Sequence, residues 1–585
     1  MSVASVVVRG TTPSAAVEVG APPQGLDRVH RVLAASLVAV VLVAPFEALR
    51  PLLTTSGQSF TTVEVPLLAA LAVCAVACGW GRAWQALPLR ETLPWAALVA
   101  AACLSAAVAP MFRGNALRMA ARIAVAAGLW AVASAAGSNE PIRRRVAAAA
   151  LASGVIVAAL VVADFAGITI VNRVLSAFRL GAAVVGAQLR ASGPFQYPTI
   201  ASMYLEIVFP LGLGLLVASE GRGAAARLSL VAALALIAEA VVLTFTRSGL
   251  LTLASSLLLV AAVQWKRGSR QTRAAIAILI VAISVELVSS RSAEMLMLRL
   301  TSEGQDRWFS AVFDTPSTVT LDTRRPIDVP VTVTNTGRAT WDSDAAEPVM
   351  LSYHWVANDS DEVVAWEGIR TPFGEPVRPG RSVSLVAQVG GPGRPGRFRL
   401  LWDIEQEHRL WFSTEPEALL AFSSGVVSGP VTSTRFGLGP KRIPRMAVRP
   451  GRLILWSAAL RMLIDHPWLG VGPDNYRLLY GRYSTLKVAD PRVHSNNMYI
   501  ELIAGTGLVG AAALVWLGAR LGAAAMAAAR SDGIGAGIAA ACLAIATHGL
   551  ADSFLSFTGT YILIAVTLGL ASGCALAGQR HAHRI

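Results

Sequence analysis

Apolar runs recur along the chain, each close to the ~20 residues that carry a helix across a bilayer, with short polar tracts between them. They lie near 32–49, 65–80, 93–111, 119–136, 146–166, 198–218, 227–245, 248–265, 274–290, 500–519, 534–551 and 556–577. The pattern predicts about twelve transmembrane helices. Between 290 and 500 the period changes. Apolar residues now recur at every second position: Ile327, Val329, Val331 and Val333; Val349, Leu351, Tyr353 and Trp355; Val383, Leu385, Ala387 and Val389; Phe398, Leu400, Trp402 and Ile404. A period of two is that of strands with one buried face, and Asn335-Thr336-Gly337 and Pro379-Gly380 supply turns between them. A β-sandwich over 316–415 is expected, with Trp341, Trp355, Trp366 and Trp402 in its core. His354 falls on the face opposite Tyr353 and Trp355, where solvation is expected.

Composition agrees with the membrane reading. Of 585 residues 54% are hydrophobic and only 15% charged, against about 25% charged in a soluble domain. The net charge of +14 matters through its placement. With the N-terminus inside, alternate loops carry Arg82 and Arg90, then Arg143, Arg144 and Arg145, then Arg222 and Arg227. Lys266, Arg267, Arg270 and Arg273 follow, then Arg520 and Arg530, with Arg580 and Arg584 in the tail. Cytoplasmic loops hold positive charge in this way, and the phase runs unbroken to a cytoplasmic C-terminus. The same phase puts outside, among others, 167–197, the turn around Arg247, the long stretch 291–499 and the turn at Asp552. No basic stripe is interleaved with aromatics, so nucleic acid is not an expected partner. The cysteines Cys74, Cys78, Cys103, Cys542 and Cys574 all sit in apolar runs, which argues against a disulfide framework or a metal-ligand spacing.

The expected organisation is a polytopic α-helical membrane protein with an inserted extracytoplasmic β-sandwich. A disordered cytoplasmic N-terminus occupies 1–31. Transmembrane helices 1–9 span 32–290, the sandwich 316–415, and an extracytoplasmic catalytic loop 445–499. Helices 10–12 span 500–577, and a cytoplasmic tail 578–585. The run at 32–49 is long for a cleavable signal segment and lacks a clear cleavage site, so it is expected to remain as the first span.

Three outside segments carry polar residues that membrane insertion does not require. The first is Arg190-Ala191-Ser192-Gly193-Pro194-Phe195, leading through Tyr197-Pro198 into a span. The second is Thr244-Phe245-Thr246-Arg247-Ser248-Gly249. The third begins Arg452-Leu453-Ile454-Leu455-Trp456, passes through Asp465-His466-Pro467-Trp468-Leu469-Gly470-Val471-Gly472-Pro473, and reaches His494-Ser495-Asn496-Asn497-Met498-Tyr499-Ile500-Glu501 and Gly505-Thr506-Gly507. This third segment resembles the signature of the O-antigen ligase/polymerase-like family of integral-membrane glycan transferases: an Arg followed by Trp on a helix, a Pro-x-x-Gly-x-Gly loop, then His-x-Asn opening a span. The second resembles the family's Ser-Arg turn with Thr246 in place of Ser. The first resembles its Gly-x-Phe-x-Asn-Pro element with Tyr197 where Asn is usual. The likeness covers roughly 190–290 and 450–575; the sandwich is similar to immunoglobulin-like modules appended to bacterial glycan enzymes.

The resemblance implies transfer of a glycan from a polyprenyl-diphosphate carrier, undecaprenyl diphosphate for example, to an acceptor hydroxyl at the outer face of the cytoplasmic membrane. Acceptors would be lipid-A core, as in lipopolysaccharide ligation, another lipid-linked glycan, or a protein. The residue chemistry fits. Arginine stays charged and offers a fork to phosphate oxygens, so Arg247, Arg452 and Arg190 are candidates for binding the diphosphate. An arginine wedged between two spans is costly, although a snorkelling anchor would also place it there. Histidine titrates nearest neutral pH, which makes His494 the candidate general base, with Asn496, Asn497 and Glu501 orienting it. His466, beside a proline in a tight loop, reads as structural. No cofactor or metal is expected: paired glycosidase-type carboxylates, nucleotide-binding glycine loops and metal constellations are absent from the sequence pattern. Expected partners are the lipid-linked donor, a glycan or lipid-linked acceptor, and membrane lipids. The alternative is a polytopic transporter or exporter of a small anion or glycan; carriers also use about twelve spans, though usually with internal repeats, and none is visible here.

Overall fold

The computed structural model describes residues 24–55, 58–78, 87–179, 183–185, 188–288, 308–345, 347–407, 410–415, 418–432, 440–444, 450–486 and 489–582. The tail 1–23, Arg82 and Arg584 lie outside the described residues. Among the described residues fifteen α-helices follow in chain order: α1 Gln24–Val43, α2 Glu64–Cys78, α3 Leu89–Val108, α4 Arg113–Gly137, α5 Glu140–Phe165, α6 Thr169–Leu175, α7 Pro198–Val217, α8 Ala224–Leu243, α9 Arg247–Arg267 and α10 Arg270–Val288, then α11 Arg452–Asp465, α12 Tyr476–Tyr483, α13 Met498–Ser531, α14 Gly533–His548 and α15 Thr558–Ala582. Among the described residues nine helices are long and apolar enough to cross a membrane: α3, α4, α5, α7, α8, α9, α10, α13 and α15. Shorter apolar helices occupy Val29–Val43, Glu64–Ala77 and Gly533–His548, within α1, α2 and α14. The helix at the first apolar run begins at Gln24, ahead of the apolar residues themselves.

The whole apolar window of α7 is buried. It is the central helix, packed on α5, α8, α9 and α14. A second set brings α4 against α15 and α3 against α13. Outer faces carry exposed Val76, Leu104, Ile156, Leu228, Leu258 and Val285, as expected of helices surrounded by lipid rather than water.

Polar contacts between loops fall into two groups at opposite helix ends. At one end Arg143 pairs with Asp532 at 2.5 Å, Arg520 with Glu91, Arg90 with Gln579, and Arg267 donates to the Arg530 carbonyl at 3.2 Å. At the other, Arg122 donates to the Ser556 carbonyl and reaches Glu64, Asn115 reaches Asp474, and Arg452 donates to the Ala551 carbonyl. Loops of one phase therefore meet only loops of the same phase in these contacts.

At that second end a buried ion pair fixes the chain ahead of α7. Asp164, at the end of α5, receives both guanidinium nitrogens of Arg179 at 2.6 Å. It also accepts the backbone N–H groups of Ser192 and Gly193. Four donors on one carboxylate, with Arg179 also donating to Ser192 Oγ, offset the desolvation such a pair suffers.

Residues 311–428 form two sheets that share one hydrophobic cluster. The larger has seven strands, with Thr371–Pro372, Val349–Ala357, Gly396–Gln406, Ala421–Ser428 and Thr318–Asp322 in spatial order and two short strands at its side. The smaller has three, Ser382–Val389, Ile327–Asn335 and Ala311–Asp314. Sheets therefore begin before 316 and continue past 415. The final strand escapes the apolar alternation because its inward positions are Ser423, Gly425 and Val427, and Gly425 lies against the Trp355 ring.

Trp341, Trp355 and Trp402 are buried in the shared cluster. Trp366 is buried on the opposite side of the large sheet, stacked on His354 with ring centroids 3.7 Å apart. That corrects the expectation for His354. It is fully buried, bonded to Asp403 Oδ2 at 3.0 Å and to the Trp366 carbonyl. Trp366, Trp411 and Arg370 cover the second face, so alternation identified one buried face where there are two.

Candidate active site

The third motif segment folds as one unit against the start of α13. That helix is broken near its beginning: Gly507 has φ 66 and ψ −165 between two helical stretches, a conformation that only glycine adopts readily. The loop after α11 inserts at the break and takes the backbone groups it releases. Val471 N–H donates to the Ala504 carbonyl at 3.1 Å and Gly472 N–H to the Gly505 carbonyl at 2.9 Å, while Leu508 and Val509 N–H donate to the Pro467 and Trp468 carbonyls. Gly470, at φ 66, passes so close to Ala504 and Gly505 that a Cβ would collide with their backbone. The Pro-x-x-Gly-x-Gly loop and the Gly505-x-Gly507 pair are thus two halves of one joint.

Two devices present His494 above this joint. Trp456, one turn along α11 from Arg452, donates Nε1–H to the Ser495 carbonyl at 3.0 Å. Asn497 caps α13, its side-chain oxygen accepting the N–H groups of Tyr499 and Ile500 at 3.0 Å each, which is the favoured N-cap chemistry. Asn496 carries the chain through φ 53. The sharp reversal returns His494 onto the first turn of α13, where its Nδ1 lies 2.7 Å from Glu501 Oε1. Glu501 Oε2 accepts the Ser495 N–H and hydroxyl. Burial by itself would lower the His494 imidazole, but the charge and hydrogen bond of Glu501 more than reverse this and hold it above its ordinary value.

The turn between α14 and α15 is the hub. The Met498 N–H donates to the Gly549 and Asp552 carbonyls, Asn497 Nδ2 to the Leu550 carbonyl, and Arg452 to the Ala551 carbonyl at 3.2 Å. His548 at its start faces Ser248, the residue after Arg247. Arg190 in turn donates Nε–H to the Thr244 carbonyl at 3.0 Å, and the Ala191 N–H bonds the Leu243 carbonyl. Arg452 and the segment carrying His494 therefore meet at this turn, the residue after Arg247 faces the histidine at its start, and Arg190 is held to the chain just before Arg247. Arg247 is half-buried and Arg452 exposed. Tyr197 stands at the N-cap position of α7 and makes no side-chain cap bond; the Asn of the family's pattern would be a natural cap there.

Residues that carry no motif of their own join the site. Asp474, next to Pro473 and held at φ 63, accepts Arg477, Asn115 and Ser556. Burial raises its carboxyl, yet Arg477 and Ser556 bring it below the usual range. Burial holds Asp552 above that range against the pull of His548 and the Ser553 N–H. His466, the C-cap residue of α11, accepts from Gly470 N–H through its carbonyl. Asp474, His494 and Glu501 bring one possible ligand atom each to within 4.8 Å of one another, a grouping the sequence pattern did not reveal. Each carboxylate is already engaged, Glu501 by His494 and Ser495 and Asp474 by Arg477, Asn115 and Ser556. A cation there would compete with these bonds.

Along α13 the bundle contains a cavity of about 480 Å³, lined among others by Met498, Tyr499, Leu502, Leu514, Leu555 and Tyr561. Its walls are almost wholly apolar.

These features define a polytopic helical membrane protein with a polar, arginine-containing site at one end of its helices. Residues 433–515 match the family model for O-antigen ligase, and this domain supports an O-antigen ligase-like family. The matched stretch contains α11, the inserted loop, His494 and the Gly507 break. No curated protein matches the chain. The domain supports a glycan-transferring membrane protein of the ligase/polymerase type.

Proposed function

We propose that the chain is a membrane glycosyltransferase that moves a glycan from a polyprenyl-diphosphate carrier to an acceptor hydroxyl at the outer face of the cytoplasmic membrane, without metal or cofactor. The observation that carries the proposal is the His494–Glu501 pair beside the turn between α14 and α15, where Arg452 donates to the Ala551 carbonyl and His548 faces Ser248, the residue after Arg247. Its topology is twelve spans, with α1, α2 and α14 added to the nine longer helices, both termini cytoplasmic, and residues 291–499, including a β-sandwich insertion, outside.

Glu501 holds the Nδ1 side of the imidazole, so the neutral ring turns Nε2 toward the acceptor. Nε2 takes the hydroxyl proton as the acceptor oxygen bonds the anomeric carbon of the donor and the bond from that carbon to the diphosphate oxygen breaks. A positioned base typically contributes roughly 10²–10⁴-fold. Charge grows on the departing diphosphate, where arginine forks stabilise it more strongly as the bond breaks. The apolar cavity beside Met498 and Tyr499 suits a lipid-linked substrate.

The test is glycan transfer by the purified full-length protein from a synthetic polyprenyl-diphosphate donor, with several acceptors and a chelator present. Transfer without nucleotide is expected, and the acceptor used separates ligation from polymerisation. Movement of donor or anion across a vesicle membrane without any transfer would replace this reading with the transporter.

A further inference from the structure

Glu206 and His548 are ionisable side chains buried on the apolar helices α7 and α14, and neither has a part in the transfer chemistry above. Such groups inside a helical bundle are costly to bury and mark function by default. They form a directed chain. Glu206 Oε2 lies 2.5 Å from His548 Nδ1, and Glu206 Oε1 accepts the Ser202 hydroxyl. The other side of the imidazole, Nε2, lies 3.3 Å from Ser248 Oγ. With Nδ1–H donated to the carboxylate, Nε2 accepts the Ser248 hydroxyl proton; in the charged imidazole it donates instead. The link survives either state.

Ser248 directly follows Arg247 in the first turn of α9. That helix start has no side-chain cap of its own, since Thr246 makes no cap bond, and the chain enters it through Phe245 at φ 54. The start is pressed onto the buried pair: a Cβ at Gly249 would lie 2.8 Å from Glu206 Oε1 and collide with Ser202 Oγ. The chain from α7 through α14 thus holds the first turn at Ser248, while Arg190 and the Ala191 N–H hold the chain just before it at Thr244 and Leu243.

We infer that Glu206 and His548 are a positioning pair that aims Arg247 at the donor diphosphate through the Ser248 hydroxyl. The inference rests on the proposed function, because it takes Arg247 as a diphosphate ligand. A positioning role of this kind predicts weakened donor capture with the chemical step largely kept, since the base at His494 is untouched.

The experiment uses the full-length protein in lipid nanodiscs, measuring both the binding of a synthetic polyprenyl diphosphate and steady-state transfer. Ser248→Ala is expected to raise the Kd for the lipid diphosphate and the donor KM about ten-fold, the effect of one lost hydrogen bond near a charged group, with kcat little changed. Ser248→Thr, which keeps the hydroxyl, is expected to restore both. His548→Ala should resemble Ser248→Ala, and the double variant should be no worse than the poorer single, because both break one chain. Should His548→Ala fail to fold, the Ser248 variants decide alone. Wild-type Kd and KM in Ser248→Ala, or a kcat loss not rescued by threonine, would overturn the inference while the functional reading stands. A wild-type protein that neither binds the lipid diphosphate nor transfers glycan would overturn both.

Discussion

His494 and Glu501 are seven residues apart in sequence, and His494 Nδ1 lies 2.7 Å from Glu501 Oε1, because Asn496 reverses the chain and Asn497 starts the next helix. The carboxylate holds the imidazole above its ordinary value, and a general base must be neutral to act. Activity is therefore expected to rise with pH along an acidic limb centred above the usual histidine value of about 6.5. Glu501→Gln removes the negative charge, lowers the imidazole pKa and should move that limb to lower pH, with a reduced plateau because the ring is less well held. His494→Ala is expected to lower single-turnover transfer by roughly 10²–10⁴-fold with donor affinity nearly intact. A limb that stays in place in Glu501→Gln would show that another group titrates.

The arginines should behave differently from the base. Arg247→Lys and Arg452→Lys keep the charge and lose the planar fork. About ten- to hundred-fold losses in kcat/KM are expected, the scale of one or two charge-assisted hydrogen bonds. Alanine at either position should weaken donor binding as well as turnover, since the diphosphate is charged in ground and transition states alike. Arg190 is held by the Thr244 carbonyl, so its replacement also loosens the turn that carries Arg247. Single-turnover assays with labelled donor, beside equilibrium binding, separate the two contributions.

Much of this arrangement is legible in the sequence, and the exceptions share a cause. Apolar runs locate the helices because a bilayer demands length and hydropathy over a whole segment. Gly470, Gly472 and Gly507 are marked in the sequence by the family resemblance, but the joint they form appears only where the loop meets the break in α13. Glu206, His548 and Asp474 are single polar residues whose meaning comes only from what packs beside them. His354 misleads for the same reason: alternation reports which face a side chain points to, and Trp366 and Trp411 then bury the face that looked solvated. Ser423 and Gly425 conceal a strand because their small side chains make room for other residues, so the period of two disappears.

The phase of the loops has its own test. All five native cysteines lie in apolar runs, so single cysteines at exposed Ser360 and Thr485 report on topology against a low background. Both should react with a membrane-impermeant thiol reagent in intact spheroplasts, and a cysteine at exposed Arg222 only after lysis. The reverse pattern would turn the whole molecule over and place the candidate site in the cytoplasm.

The Asp164–Arg179 pair should be stability-critical, although it lies outside the proposed chemistry. Its two side chains are almost fully buried, and truncating one partner leaves the other charged in a site that excludes water. Asp164→Ala is expected to cost about 3–5 kcal/mol, and Arg179→Ala a similar amount. Replacing both together should cost less than the sum, because neither charge is then stranded. Thermal unfolding in detergent, followed for the two singles and the double, reads this coupling. Additive losses would mean that the carboxylate serves mainly the Ser192 and Gly193 N–H groups rather than the guanidinium.

The final prediction concerns the sheets between α10 and α11. Their cluster of Trp341, Tyr353, Trp355, Leu400, Trp402 and Ile404 is separate from the clusters of the helices, and His354 with Asp403 completes a second buried layer on the same sheet. A segment with its own core is expected to fold alone. Residues 308–432 expressed separately should unfold cooperatively, and His354→Ala should destabilise that fragment by about 1–3 kcal/mol by leaving Asp403 Oδ2 without its imidazole partner. The chain with 308–432 replaced by a Gly/Ser linker should still insert, bind the lipid diphosphate and transfer glycan to a small acceptor, since every candidate site residue lies outside the excised segment. Retained donor binding with transfer lost even to a small acceptor would assign the sheets a part in acceptor placement, and the insertion would then belong to the active site rather than be appended to it.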